Sequence, residues 1–241
     1  MVVRRILVTR PEPGASATAS RLAAEGFQPV KLPLTEIRSV PVSGLPDADM
    51  FDAVVATSGN ALRHAPPQLL ASLSGKPLFA VGERTGDLAR DAGFSRVTAA
   101  AGDAVSLVAT IRDTLPLTSR LAYLAGRLRT PGFEDKLASL GFALELIETY
   151  DAPPVDYDDG ELEAALGGEP FFAALVYSTR GGELLAELAR REPVESLLEN
   201  ALFFCISSRS AEAVREIASE RIRVSAEPSE ESLMGLIGAE G

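Results

Sequence analysis

The sequence predicts an α/β protein made of two flavodoxin-like, doubly wound parallel-sheet domains related by a circularly permuted internal repeat. Three observations carry this. Apolar runs of four to six residues alternate with segments of helical periodicity such as "ASATASRLAAEG" and "SAEAVREIASE", the pattern of βαβ units. There are ten such runs, too many for a single 2-1-3-4-5 sheet. The later part of the chain also repeats the earlier part, with one piece displaced.

In order, strands are expected over 5–9, 28–33, 53–57, 78–81, 96–99, 121–125, 143–149, 172–177, 202–206 and 222–225. "FDAVVATSGNALR" aligns with "FFAALVYSTRGGE", so that Ser58 meets Ser178. "FAVGERTGDLARDAG" aligns with "FCISSRSAEAVREIA", bringing Arg84 to Arg209 and Thr85 to Ser210, and Ser106-Leu107 meets Ser232-Leu233 further on. The missing piece of the second copy lies elsewhere: "RLAAEGFQPVKLPL" near the N-terminus matches "KLASLGFALELIET" after residue 135. One domain is therefore expected to be continuous, 40–148, and the other to combine 1–35 with 155–241. Two linkers must cross between them. The Pro-bearing stretches "LPLTEIRSVPVSGLP" and "ELIETYDAPPVDYDDG" stand where they are needed.

Composition narrows the function. With 241 residues, 46% of them hydrophobic, the chain can bury one large core or two modest ones. The net charge of −11, from 34 acidic and 23 basic side chains, argues against nonspecific binding to nucleic acid or anionic lipid. No apolar run approaches the ~20 residues of a membrane span, and "MVVRRILVTRPEPG" lacks a signal-peptide core, so a cytoplasmic protein is expected. The single cysteine, Cys205 in "LFFCIS", reads as a buried strand residue. The single histidine, His64, reads as an exposed helix-end residue, and one His with one Cys leaves no ordinary zinc set. Neither a Walker loop nor a G-x-G-x-x-G fingerprint occurs, so no cofactor is expected.

Arginines recur after the apolar runs: Arg10, Arg63, Arg84, Arg127, Arg129, Arg180 and Arg209. Strand ends and helix starts are the ligand-binding edge of an open α/β sheet. Helix N-termini already carry partial positive charge, so added cations there oppose the local field unless an anion is bound. Solubility is the plainer reason for such arginines, and the sharper reading is a cationic cleft between domains for a polyanionic small molecule. The loops "TRPEPG", "TSGNA", "VGERTG", "AGRLRTPG", "STRGG" and "SSRSAE" are small and hydroxylated, which lets backbone N–H groups face a carboxylate or phosphate. The acids of "DYDDGELE" read as linker and first-turn charges. Tyr150 ends the strand "ALELIETY"; it either packs at the domain junction or offers its phenol as a donor in the cleft.

These residues also carry a family likeness. The opening "VTRP", then "LAAEGFQPVKLPLTEI", "FDAVVATSGNAL", "AVGERTGDLARDAGF", "LAYLAGRLR…LASLGFALELIETYDAPP", "ALVYSTRGG" and the closing "PSEESLMGLI" resemble, in order and spacing, the uroporphyrinogen-III synthases over essentially the whole chain. The resemblance implies two α/β domains joined by a two-stranded linker. It implies a hydro-lyase without cofactor, acting as a monomer on hydroxymethylbilane, a linear tetrapyrrole polycarboxylate. That substrate is cyclised with loss of water and inversion of its last ring in heme biosynthesis. Tyr150 falls on the family tyrosine that assists departure of the hydroxyl. Ser58, Thr85, Ser178 and Ser210, with Asn60 beside the first, fall on the positions that hold substrate carboxylates, where Arg10, Arg84, Arg127, Arg129, Arg180 and Arg209 would add charge. Two departures stand out: Gly86 where the family has Ala, and Ser207 where it has Gly, the second restricting the backbone of its loop. A catalytically weak relative that binds a polyanion between its domains is the alternative.

Overall fold

The computed structural model describes residues 4–129 and 131–240; Thr130, in the loop "AGRLRTPG", lies outside them. The chain forms two compact units, Met1–Glu36 with Pro153–Gly241, and Ile37–Ala152.

The first unit begins with β1 (Arg5–Val8), α1 (Gly14–Ala24) and β2 (Gln28–Lys31). The second unit then runs β3 (Arg38–Ser39), β4 (Ala53–Ala56), α2 (Gly59–Arg63), α3 (Pro67–Leu73), β5 (Leu78–Ala80), α4 (Glu83–Asp91), β6 (Val97–Ala99), α5 (Ala104–Thr114), β7 (Arg120–Gly126), α6 (Phe133–Ser139) and β8 (Ala143–Asp151). The chain returns to the first unit with α7 (Asp159–Leu166), β9 (Ala173–Val176), α8 (Thr179–Leu188), α9 (Glu192–Leu198), β10 (Leu202–Cys205), α10 (Ser208–Glu212), α11 (Arg215–Ala218), β11 (Ile222–Val224) and α12 (Glu230–Glu240).

Sheet order exposes the permutation. The first unit reads β2-β1-β9-β10-β11, all parallel, which in chain order is 2-1-3-4-5. The second reads β8-β7-β4-β5-β6, and it becomes 2-1-3-4-5 once counting starts at β7. The repeat persists in atomic detail: the Ala101 amide donates to Ser106 Oγ at 3.2 Å, and the Glu227 amide donates to Ser232 Oγ at 3.3 Å.

Each sheet is covered on both faces because its strands bury both. Leu7 and Ala174 face one cluster while Ile6, Val8 and Leu175 face another; in the second unit Val54 and Ala56 oppose Ala53 and Val55 in the same way. Strands such as "RILV" and "AVVA" are buried at every position, and each aliphatic side chain so enclosed contributes roughly 1.5–3 kcal/mol. Cys205 is such a residue, its thiol pushed up to about 12 by burial.

The ten expected strands all form, and β3 is an addition. It pairs antiparallel with the end of β8, Arg38 against Asp151 and Ser39 against Tyr150, while Thr35 bridges Pro154, so the connecting segments are two-stranded. The acids of "DYDDGELE" start α7, where Asp158 and Glu161 form a reciprocal capping box. His64 departs from expectation. It is half-buried rather than exposed, because α2 is only five residues long and ends beside β3, where His64 Nδ1 and Ser39 Oγ share a 3.0 Å hydrogen bond. No helix among the described residues is long and apolar enough to cross a membrane.

Candidate active site

An open α/β sheet offers ligands the carboxyl ends of its strands, above all at the switch point where the strand order reverses. In the second unit that point lies between β4 and β7. Thr57 Oγ1 and the Tyr123 hydroxyl hydrogen-bond there at 2.8 Å, and burial raises the phenol's pKa, so Tyr123 stays protonated. Ser58 caps α2 from an extended backbone, its Oγ accepting from the Asn60 amide at 3.2 Å. Asn60 Oδ1 in turn accepts from Arg63 at 3.2 Å.

Past β5, Gly82 is the N-cap of α4, Arg84 is exposed, and Thr85 is 7% exposed with its amide donating to the Gly82 carbonyl. Past β7, Arg127 pairs with Glu148 and Asp151, both at 3.3 Å. Arg129 pairs with Glu134 and, at 3.4 Å, with Glu148. Two cations thus meet three anions: the register Ala125 against Glu148 brings Glu148 and Asp151 of β8 beside the end of β7, and the first turn of α6 supplies Glu134. Tyr150 lies across this end. Its ring is half-buried, its centroid 6.3 Å from that of His64, and its hydroxyl has no hydrogen-bond partner among the described residues.

In the first unit the switch point lies between β1 and β9, and Arg10 occupies it. Its guanidinium sits 4.1 Å from the centroid of Tyr177 and donates through Nη1 to Glu230 at 3.2 Å and Thr18 at 3.3 Å. Thr18 Oγ1 donates to Glu230 at 2.7 Å and shares a 3.2 Å hydrogen bond with the Tyr177 hydroxyl, whose pKa burial raises. A Cβ on Gly14 would stand 2.5 Å from Nε, so the bare backbone of α1 makes room for the cation. Ser178 caps α8, accepting from Gly181 at 3.0 Å, and exposed Arg180 pairs with Glu183 on the same helix.

The loop after β10 sorts its hydroxyls by position. Ser207 is the N-cap of α10; Ser210 is fully buried, and its Oγ donates to the Ser207 carbonyl at 2.8 Å. Ser207 therefore caps α10 as Ser58 caps α2 and Ser178 caps α8, while Ser210, like Thr85 with which it aligns, is buried at the third position of its helix. Arg209 is exposed. Among the described residues, Arg84 and Arg209 alone of the seven strand-end arginines have neither an ion pair nor a side-chain hydrogen bond, and they occupy matching places in the repeat.

Sequence reading missed Glu230, Thr18, Tyr177, Thr57, Tyr123 and Gly126. The pattern "SSRS" could have announced a cap with a polar residue three places on. Nothing local links Glu230 to Arg10.

The family model described as Uroporphyrinogen-III synthase HemD matches residues 16–235. The chain belongs to the uroporphyrinogen-III synthase family. With that membership comes a place among the cyclising lyases of heme biosynthesis. A uroporphyrinogen-III synthase of Chlorobaculum parvum is 27% identical over 165 residues, covering 65% of this chain and 67% of that protein. The fold matches a Helicobacter pylori uroporphyrinogen-III synthetase with a TM-score of 0.71 at 19% identity, covering 99% of this chain and 100% of that one. A mutant uroporphyrinogen-III synthase from Thermus thermophilus aligns with a TM-score of 0.62 at 21% identity, over 99% and 98%.

Proposed function

We propose that this chain converts hydroxymethylbilane to uroporphyrinogen III, with Tyr150 as the proton donor to the departing hydroxyl. The observation that supports this most is the free Tyr150 hydroxyl at the carboxyl end of β8, held among fixed neighbours without a partner among the described residues. A phenol is neutral at physiological pH and donates a hydrogen bond, which suits protonation of a leaving hydroxide.

The steps balance as follows. The C–O bond of the hydroxymethyl group breaks, the oxygen takes the phenol's proton and leaves as water, and a cationic azafulvenium remains beside the phenolate. Ring D attacks through its substituted α carbon to give a spiro intermediate. One bond of that centre breaks, and closure through the other α carbon reverses the ring. The proton released there restores the phenol. Unassisted closure gives the unrearranged type I isomer, so the protein's part is largely to hold one conformation.

The two units are taken as the two domains, 1–35 with 155–241 and 40–148. Among the cations, Arg84 and Arg209 are the first choice for substrate carboxylates, since intramolecular acids neutralise Arg10, Arg127, Arg129 and Arg180. A cytoplasmic monomer working without a cofactor completes the reading.

The test is incubation with freshly prepared hydroxymethylbilane, oxidation, and chromatographic separation of the uroporphyrin isomers. Type III product is expected. Type I alone, formed at the rate of the protein-free control, would overturn the proposal.

A further inference from the structure

Strand β8 does not keep its alternation. A regular strand would put Ile147 and Thr149 on one face and Glu148 and Tyr150 on the other. Ile147 and Tyr150 nevertheless pack against the same cluster, with Val54, Ala56 and Leu62. The register explains this: Ala125 faces Glu148, the next residue Gly126 faces Tyr150, and Thr149 is left without a partner on β7. One extra residue in a strand re-aims the side chains beyond it.

The bulge is anchored. Thr149 is fully buried, and its Oγ1 donates to the Ala61 carbonyl of α2 at 2.8 Å, one of the last carbonyls of that helix. Its own carbonyl accepts from the Val40 amide at 3.0 Å. The phenol that the bulge turns inward lands on Gly126. A Cβ there would come within 2.6 Å of Tyr150 Cζ and 2.9 Å of both Cε2 and the hydroxyl oxygen. Gly126 is not among the glycines with positive φ, so its backbone would accept any residue. Space for the ring is what requires glycine here. No side-chain oxygen among the described residues is buried without a partner, so the Tyr150 hydroxyl reaches solvent.

We propose that Thr149 and Gly126 are positioning residues for the reaction: the anchored bulge aims the Tyr150 phenol, and the bare glycine lets it lie across the end of β7. This rests on Tyr150 being the proton donor. A shift of the phenol by about an ångström is enough to cost roughly tenfold to a hundredfold in rate.

The experiment measures kcat and KM for type III formation by the full chain and its variants, each checked for folding by circular dichroism. Gly126→Ala is expected to lower kcat roughly tenfold toward the level of Tyr150→Phe, with KM within about twofold. In the Tyr150→Phe background the same glycine change should cost less than about twofold, since no hydroxyl remains to misplace. If Gly126→Ala does not fold, Thr149 carries the test: Thr149→Val should lose kcat while Thr149→Ser, which keeps the hydroxyl, should retain it. Gly126→Ala with unchanged kcat, equal losses in both backgrounds, or Thr149→Ser as poor as Thr149→Val would overturn the positioning role. Unchanged turnover in Tyr150→Phe would instead refute the proton donor itself, and the positioning role with it.

Discussion

Glu230→Gln should destabilise the first unit measurably, although the site is partly open to water. The Glu230 carboxylate receives Thr18 at 2.7 Å, Arg10 at 3.2 Å and Tyr177 at 3.5 Å, and the Arg10 and Glu230 side chains are 20% and 16% exposed. An exposed ion pair contributes ~0–1 kcal/mol, and breaking a fully buried one costs ~3–5 kcal/mol. A pair this sheltered lies between them. Glutamine keeps an acceptor for Thr18 but loses the charge and turns a donor toward the guanidinium, so the expected cost is about 2–3 kcal/mol. At ~2–4 °C per kcal/mol for a chain of this size, the melting midpoint should fall by roughly 4–12 °C. Urea titration followed by far-UV circular dichroism, with a double-mutant cycle against Arg10→Met, measures the cost and its coupling. The contacts tie α1 and the loop after β1 to α12 across sequence separations of 212 and 220 residues, with Tyr177 just past β9 joining them, so the loss should appear in the transition of that unit. A change within about 0.5 kcal/mol of zero, or no coupling to Arg10, would refute this reasoning.

Arg84→Gln and Arg209→Gln should each raise KM about fivefold, the equivalent of roughly 1 kcal/mol for a partly screened carboxylate contact, with little change in melting. Arg180→Gln, whose cation is already paired with Glu183, should shift KM less than about twofold; equal effects at all three positions would contradict the distinction. Burial, and then the nearby Arg63, hold the His64 pKa below its ordinary 6.5, so the unfolded chain takes the proton first and stability must fall as pH drops through that value. Urea midpoints between about pH 8 and 5 should decline less steeply in His64→Gln, and an identical slope would count against it. With one His and one Cys in the chain, activity should survive chelation and dialysis; loss that a metal ion reverses would show otherwise.

Much of the fold was legible because its strands are short, fully buried and rich in apolar residues, and because the repeat carries its register from one unit to the other. The pairs Ser106 with Ser232 and Ser58 with Ser178 match in sequence and do matching work. β3 was not legible: Arg38 and Ser39 are exposed, carry no periodicity, and form a strand only because the end of β8 lies beside them. Strand ends located the arginines but not their charge balance, since Glu148 and Asp151 come from a neighbouring strand and Glu230 from the far end of the chain. The alignment of Ser210 with Thr85 puts both at the buried third position of their helices, but it gave no sign that Ser207 is the cap and that Ser210 turns inward. Tyr150 stood out as a strand-end phenol. Its aim depends on a bulge at Thr149 and on empty space at Gly126, neither of which local sequence encodes.

The most direct test of the central claim is the isomer ratio as a function of protein concentration at fixed hydroxymethylbilane. Spontaneous closure supplies type I at a rate the protein does not change, so a synthase must compete with it. The fraction of type III should rise with added protein and saturate near complete conversion, and Tyr150→Phe should need more protein to reach the same ratio. A type I fraction that stays constant at every protein concentration would contradict synthase activity outright.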